Sequence, residues 1–333
     1  HATKVVELNK VLYVLSDNDL YSYDSEDTSV ETYDKATSLS DHNIYDIVVN
    51  ETTKQLVVIY SNGNIDLIDT AGNVYNMPEL KEKALNDKTL NNVYVDADNV
   101  YISTNSGIVV LDTKRRVFAN YYNFGLKVTS MLVDEGKIVA VTTDGIYQGY
   151  LKNNLLDASN WTQNVTTFKN AKHIIPFGNT YYIINSSSQL RIATQKEPIK
   201  YKNAENLVIR SYSICGDKAF FFGDTQILVY DSNGNYQIID NPGISSMTEL
   251  GGKYWMACNT DGLKAAQFDG SKFTDVVSPI IPDSPYRNYF FKLRMEKNNR
   301  LLVAGGAFNY PDVRQDGTAM KYENGSWTAF DEE

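Results

Sequence analysis

One unit recurs along the whole chain. Aligned on a short apolar strand, a polar turn and a second apolar strand ending near Asp, eight segments fall into register. They are Lys10–Asp24 (KVLYVLSDNDLYSYD), Lys54–Asp69, Asp98–Asp112, Gly136–Tyr150, Asn179–Thr194, Asp217–Asp231, Gly252–Asp269 and Arg300–Glu323. Their ends lie about 43 positions apart on average, inside the roughly 40–50-residue period of a propeller blade. An upstream strand precedes the hairpin, as in NIYDIVVN (Asn43–Asn50), AKHIIPF (Ala171–Phe177) and FKLRMEK (Phe291–Lys297). A more polar strand follows it, as in RVFANYY (Arg116–Tyr122) and SWTAFD (Ser326–Asp331). Four antiparallel strands per unit make one blade, so the chain reads as an all-β protein, a β-propeller of seven or eight blades.

The residue types at each position agree. Runs such as QLVVIY and AFFF suit middle strands covered on both faces by neighbouring blades. Asn62-Gly63, Ser106-Gly107, Asp144-Gly145 and Asp261-Gly262 supply the positive φ that a tight hairpin demands. The later units drift, with NSSSQ (Asn185–Gln189) standing where a glycine turn is expected. One stretch, Pro78–Asp87, has helical spacing and reads as a short insertion. No linker divides the 333 residues, which read as a single propeller domain, residues 1–333. Either eight units close the ring, or seven close and a terminal unit is left for a neighbour. In a closed ring the segment near Val5–Asn9 is expected to pair with a strand near the C-terminus, because an open ring leaves a bare edge.

Charge and composition exclude several function classes. With 31 Lys+Arg against 41 Asp+Glu, a net charge of −10, the chain lacks the basic stripe of a nucleic-acid binder. No apolar run approaches the ~20 residues of a membrane span. Cys215 and Cys258 are too far apart for a metal or redox motif and read as buried small hydrophobes. The absence of Met at position 1 leaves room for a leader removed from the precursor.

The recurring pattern in VYVDADNVYISTNSGIVVLD (Val93–Asp112) and MLVDEGKIVAVTTDGIYQGY (Met131–Tyr150) resembles the two-component-regulator propeller repeat of Bacteroidetes. A closer likeness runs from about residue 3 to 125. There, NIDLID (Asn64–Asp69) and GIVVLD (Gly107–Asp112) resemble the N-terminal propeller of PorZ-like proteins of the type IX secretion system. That resemblance implies export to the periplasm, cell envelope or cell surface. It also implies a second propeller downstream, making this chain a fragment of a longer protein, and it carries over no catalytic residue.

Chemistry-bearing residues are sparse. The three histidines His1, His42 and His173 fall in different units, so no metal-ligand spacing exists. His173 heads an inner strand where it can face a central channel, and a satisfied histidine is favoured there over a general base. Acidic loops such as DTAGN (Asp69–Asn73) and DSNGN (Asp231–Asn235) lack the distal Glu of a calcium loop and read as turns. Trp161 and Trp327 occupy equivalent outer-strand positions, and Trp255 is placed between blades. No cofactor, metal or catalytic residue is expected, and the chain reads as a non-enzyme. A channel lined by two or more carboxylates with a His or Tyr in reach would revive an enzyme reading.

The candidate binding residues come from two insertions, Ser278–Phe290 and Gly305–Gly317, that break the repeat where its other copies are tight. They carry Tyr286, Arg287, Tyr289, Phe308, Tyr310 and Arg314, of the types enriched at binding hot spots. Two functional expectations follow. One is a non-catalytic binding or scaffold domain of an exported envelope protein, engaging a protein, a surface glycan or the neighbouring propeller of its own chain. The other is the periplasmic sensor propeller of a hybrid two-component regulator that binds an oligosaccharide.

Overall fold

The computed structural model describes residues 1–83, 87–165, 168, 171–193, 201, 207–285, 290–305, 308–309, 313–314 and 318–330. The chain forms two compact units, His1–Ile280 and Ile281–Glu333.

The first unit is a ring of seven antiparallel sheets, each a meander in chain order. Blade 1 comprises Ala2–Leu8, Val11–Ser16, Asp19–Asp24 and Val30–Tyr33; blades 2, 3, 4 and 6 span residues 44–77, 90–123, 128–165 and 211–240; and blade 7 comprises Ser246–Leu250, Lys253–Ala257, Leu263–Phe268 and Phe273–Ile280. Blade 5 has three strands among the described residues, His173–Phe177, Thr180–Ile184 and Leu190–Ile192. Short turns join the strands because the local backbone permits them: Gly63 and Gly262 within longer turns, and Gly107 and Gly145 just after two-residue turns, all take positive φ. In the drifted NSSSQ turn, Ser188 takes the left-handed conformation in place of glycine, at φ 63°.

No blade buries its own faces, so the core is divided among the interfaces. Seven apolar clusters lie one at each blade junction. The cluster that closes the ring joins Val5, Leu12, Val14, Tyr21 and Tyr23 of blade 1 to Trp255, Leu263 and Ala265 of blade 7. Each large side chain buried there contributes on the order of 1.5–3 kcal/mol. Tyr23 and Trp255 pack at 5.3 Å between centroids, which places Trp255 between blades as its sequence position implied. At the rim of this junction Ala2 and Asn259 exchange both backbone hydrogen bonds, at 2.8 and 3.0 Å.

Closure therefore differs in partner from the sequence expectation. The N-terminal strand meets the seventh unit, not a strand near the C-terminus, because interface packing is complete after seven wedges. The second unit is a four-stranded sheet of the same order, Phe290–Met295, Leu301–Gly305, Thr318–Glu323 and Ser326–Phe330.

The Pro78–Asp87 insertion begins as a four-residue helix, Glu79–Glu82. Leu80 buries itself in the junction of blades 2 and 3, and Lys81 donates to the buried carboxylate of Asp41 at 2.7 Å. Cys215 and Cys258 are free and buried in the junction of blades 6 and 7. Among the described residues no helix is long and apolar enough to cross a membrane.

Candidate functional site

The first strands of blades 1, 2, 3, 5, 6 and 7 line a central channel of about 590 Å³. In the first four blades this strand opens with a β-bulge, at Thr3, Tyr45, Asn91 and Thr129. A bulge re-aims the side chains beside it. The residue after each bulge is polar: Lys4, Asp46, Asn92 and Ser130. Each stands four residues before the end of its strand, and the same position in blades 5, 6 and 7 is His173, Ser211 and Ser246. All seven blades thus put a polar residue at one register position, followed by Val5, Ile47, Val93, Met131, Ile174, Tyr212 and Met247.

These groups contact one another. Lys4 Nζ donates to Asp46 Oδ1 at 2.6 Å. Asn92 Nδ2 lies 3.3 Å from His173 Nδ1, and Ser130 Oγ donates to Asn92 Oδ1 at 3.5 Å. The His173 ring packs edge-on against Tyr212, 5.5 Å between centroids. Burial, aided by the charge of Lys172, pushes the His173 imidazolium pKa down to about 4, so the ring is neutral at pH 7. Burial likewise pushes the Tyr212 phenol up to about 12.

The channel also presents Glu7, Glu51 and Arg210, so it does hold carboxylates with a His and a Tyr. Each of these groups has a protein partner. Asp46 is paired with Lys4, Glu51 with Lys54 at 2.8 Å, and Arg210 with Asp224 through two bonds of 2.9 and 2.8 Å. Glu7 accepts the backbone N–H of Lys10. No group of three or more His, Cys, Asp or Glu that could hold a metal occurs among the described residues.

The other sequence candidates sort differently. Asp69 and Asp231 each cap their own turn, Asp69 Oδ1 taking the N–H groups of Ala71 and Asn73, and Asp231 Oδ1 those of Asn233 and Asn235. Trp161 packs on Phe124 at 4.5 Å and donates to the Leu155 carbonyl, and Trp327 packs on Tyr322 at 5.1 Å. Of the six candidate binding residues, Tyr286, Arg287, Tyr289 and Tyr310 lie outside the described residues. Phe308 and Arg314 are backbone register partners in a two-residue ribbon, Phe308–Asn309 with Val313–Arg314. Sequence reasoning passed over the channel ring except for His173. The signal was present: a polar residue at a fixed distance before the first hairpin of each of the seven units in the ring.

Comparison with known proteins agrees with this architecture. The family model for the N-terminal β-propeller domain of PorZ, a type IX secretion component, matches residues 12–162. The structure of PorZ from Porphyromonas gingivalis, described as a surface component of that system, superposes with a TM-score of 0.83 at 24% identity. The match covers 99% of this chain and 45% of that one, so the chain spans less than half the PorZ length. The β-propeller domain of Cps50 (Swd1) from Myceliophteria thermophila superposes at 0.57 with 9% identity, covering 80% of this chain and 97% of that one. The extracellular domain of BT4673 from B. thetaiotaomicron aligns over 99% of this chain and 60% of its own at 11% identity, with a TM-score of only 0.41. No curated protein matches the chain. The chain carries a propeller related to that of PorZ, in fold throughout and in sequence over residues 12–162.

Proposed function

We propose that this chain is a non-catalytic binding and scaffold domain of an exported envelope protein that works with a type IX secretion system. The observation that carries the reading is the sequence match to the PorZ propeller over residues 12–162. The channel supports the non-catalytic part, since each of its carboxylates already has a protein partner and its one histidine is held neutral with a weakly basic ring. Protein partners fit the rim of the ring, since binding residues concentrate on loops held by a scaffold of regular strands. In-frame removal of residues 1–333 from the gene in its own host tests the reading. Cargo retained inside the cell envelope is the expected outcome, and unchanged cargo export overturns it.

The second unit fits the first blade of a following propeller. Its first strand, Phe290–Met295, has the same opening bulge as the inner strands of blades 1 to 4. Unlike them it is exposed along its whole length, with Phe291 at 78%, Met295 at 65% and Leu293 at 57%. Apolar faces of this extent call for cover. In a longer chain the amides of Phe290–Met295 should exchange slowly with solvent, and fast exchange there would count against this assignment.

A further inference from the structure

We propose that the outer edge of blade 3 takes up an extended acidic peptide as an added strand. One apolar side chain of the peptide sits in the cleft beside Phe118 and Tyr121, and its carboxylates meet Lys83 and Arg116. The inference goes beyond the scaffold reading, since it names a surface and a partner chemistry, and its readout is peptide binding and not export.

An open sheet edge is a template for another chain, and proteins blunt such edges with short strands, charges, prolines and bulges. The outer strands of blades 1 and 2, Val30–Tyr33 and Val74–Met77, have four residues each, and those of blades 4 and 6, Trp161–Val165 and Tyr236–Asp240, have five. The outer strand of blade 7, Phe273–Ile280, is longer but contains Asp275 and Pro279 and shifts register twice. Blade 3 differs. Its outer strand Val117–Asn123 has seven residues, no charge, no proline and a single register shift, and no strand pairs with its outer side among the described residues. The Phe124 N–H donates to the Ser106 carbonyl, so the alternation of an antiparallel ladder turns Asn120 and Tyr122 inward. The backbone N–H and C=O of Tyr121 and Asn123 therefore point outward, free to pair.

A cleft of about 200 Å³ lies beside this edge, lined by Leu80 and Lys83 from the helical insertion and by Val109, Phe118, Ala119 and Tyr121 of blade 3. That volume is below the roughly 300–1,000 Å³ of small-molecule sites and suits a single side chain. Leu80 and Val109 are buried and Phe118 and Tyr121 half-buried, so the side chain it suits is apolar.

Charge selects the occupant. Lys83 Nζ stands 5.1 Å from the centre of the Tyr121 ring, and the Arg116 guanidinium 3.3 Å from that of Tyr75. Nearby Lys81 and Arg115 are paired with Asp41 and Asp112, but exposed Lys83 and Arg116 have no acidic partner among the described residues. Glu79 is the one carboxylate that lines the cleft. Two cations thus bracket the edge. Antiparallel pairing with a second copy would bring Lys83 of one chain toward Arg116 of the other, and like charges oppose that. Carboxylates on a peptide strand satisfy both.

Calorimetric titration of the full chain with acetyl-Thr-Asp-Thr-Phe-Thr-Asp-Thr-amide tests this, because its Phe and both Asp share one face of an extended strand. The peptide should bind saturably below about 1 mM. Hydrogen exchange at the Tyr121 and Asn123 amides should slow at least about tenfold in the complex. Changing the peptide's Phe to Ser, or both Asp to Lys, should each weaken binding at least about tenfold. The double variant Lys83→Glu and Arg116→Glu, checked for folding by circular dichroism, should lose the Asp peptide and take the Lys peptide instead. No binding, equal binding of the Asp and Lys peptides, or binding that leaves exchange at Tyr121 and Asn123 unchanged overturns the proposal. So does sedimentation of the free chain as a dimer in which those two amides are already protected.

Discussion

Ser246 on blade 7 accepts the backbone N–H of Val5 on blade 1, 3.4 Å from its hydroxyl oxygen. Ser130 does the same for Ile174 of the next blade at 3.2 Å, and Ser213, two residues beyond the shared register position, does so for Met247 at 3.0 Å. The junction that joins the two ends of the ring is thus built like junctions between blades adjacent in sequence. A hydroxyl at the head of one inner strand satisfies a backbone donor that the next strand leaves without a ladder partner.

Ser130→Ala and Ser246→Ala should each lower stability by about 1–3 kcal/mol, the cost of a buried N–H left unpaired. Chemical denaturation of the two variants checks this. Equal losses are expected, since closure is one junction among seven equivalents; a much larger loss for Ser246→Ala would show closure to be the weak point.

His173 adds an acid-side weakness. Its folded pKa, about 4, lies below the ordinary value of 6.5, so between those pH values the unfolded chain binds a proton that the folded one does not. Stability from this group is full above about pH 6.5 and falls as the pH drops toward 4. An NMR titration should place the imidazole midpoint near the lower value, and His173→Asn should flatten that limb of the stability curve.

Two turn glycines should respond differently to alanine. A Cβ on Gly107, at φ +149°, would stand 2.0 Å from the carbonyl oxygen of Tyr122, whereas Gly72, at φ +80°, has nothing within 4 Å. Gly107→Ala should cost more than about 3 kcal/mol, in the range of a broken strand pair, and Gly72→Ala only the left-handed penalty of about 1–2 kcal/mol. Thermal melts of both variants separate the outcomes.

Burial pushes the thiols of Cys215 and Cys258 up to about 12 each. A thiol reagent at pH 8 should therefore leave the folded chain unmodified and titrate both cysteines once it is unfolded. Rapid labelling of the native protein would contradict the burial of either one.

Much of the architecture was legible residue by residue. The hairpins follow from Asn62-Gly63 and Asp261-Gly262, the outer strands from segments such as Val117–Asn123, and the apolar middle strands from runs such as Gln55–Tyr60. The channel was harder to see, because Lys4 and Asp46 are 42 positions apart and neither belongs to a motif. Ser188 was opaque for a local reason: its hydroxymethyl side chain tolerates the left-handed backbone that the turn imposes, without advertising it.

By itself the sequence determined the repeating unit, since strand alternation and turn chemistry act over a few residues and are written in each copy. It left the number of blades in the ring open. That number was decided in three dimensions, where the wedge angle between packed blades brings Ala2 to Asn259 across 257 positions of chain. The same closure brings six of these polar residues, Lys4, Asp46, Asn92, His173, Ser211 and Ser246, to one channel, a proximity that no local spacing encodes, because packing between faces and not the order of residues determines which strands share a channel.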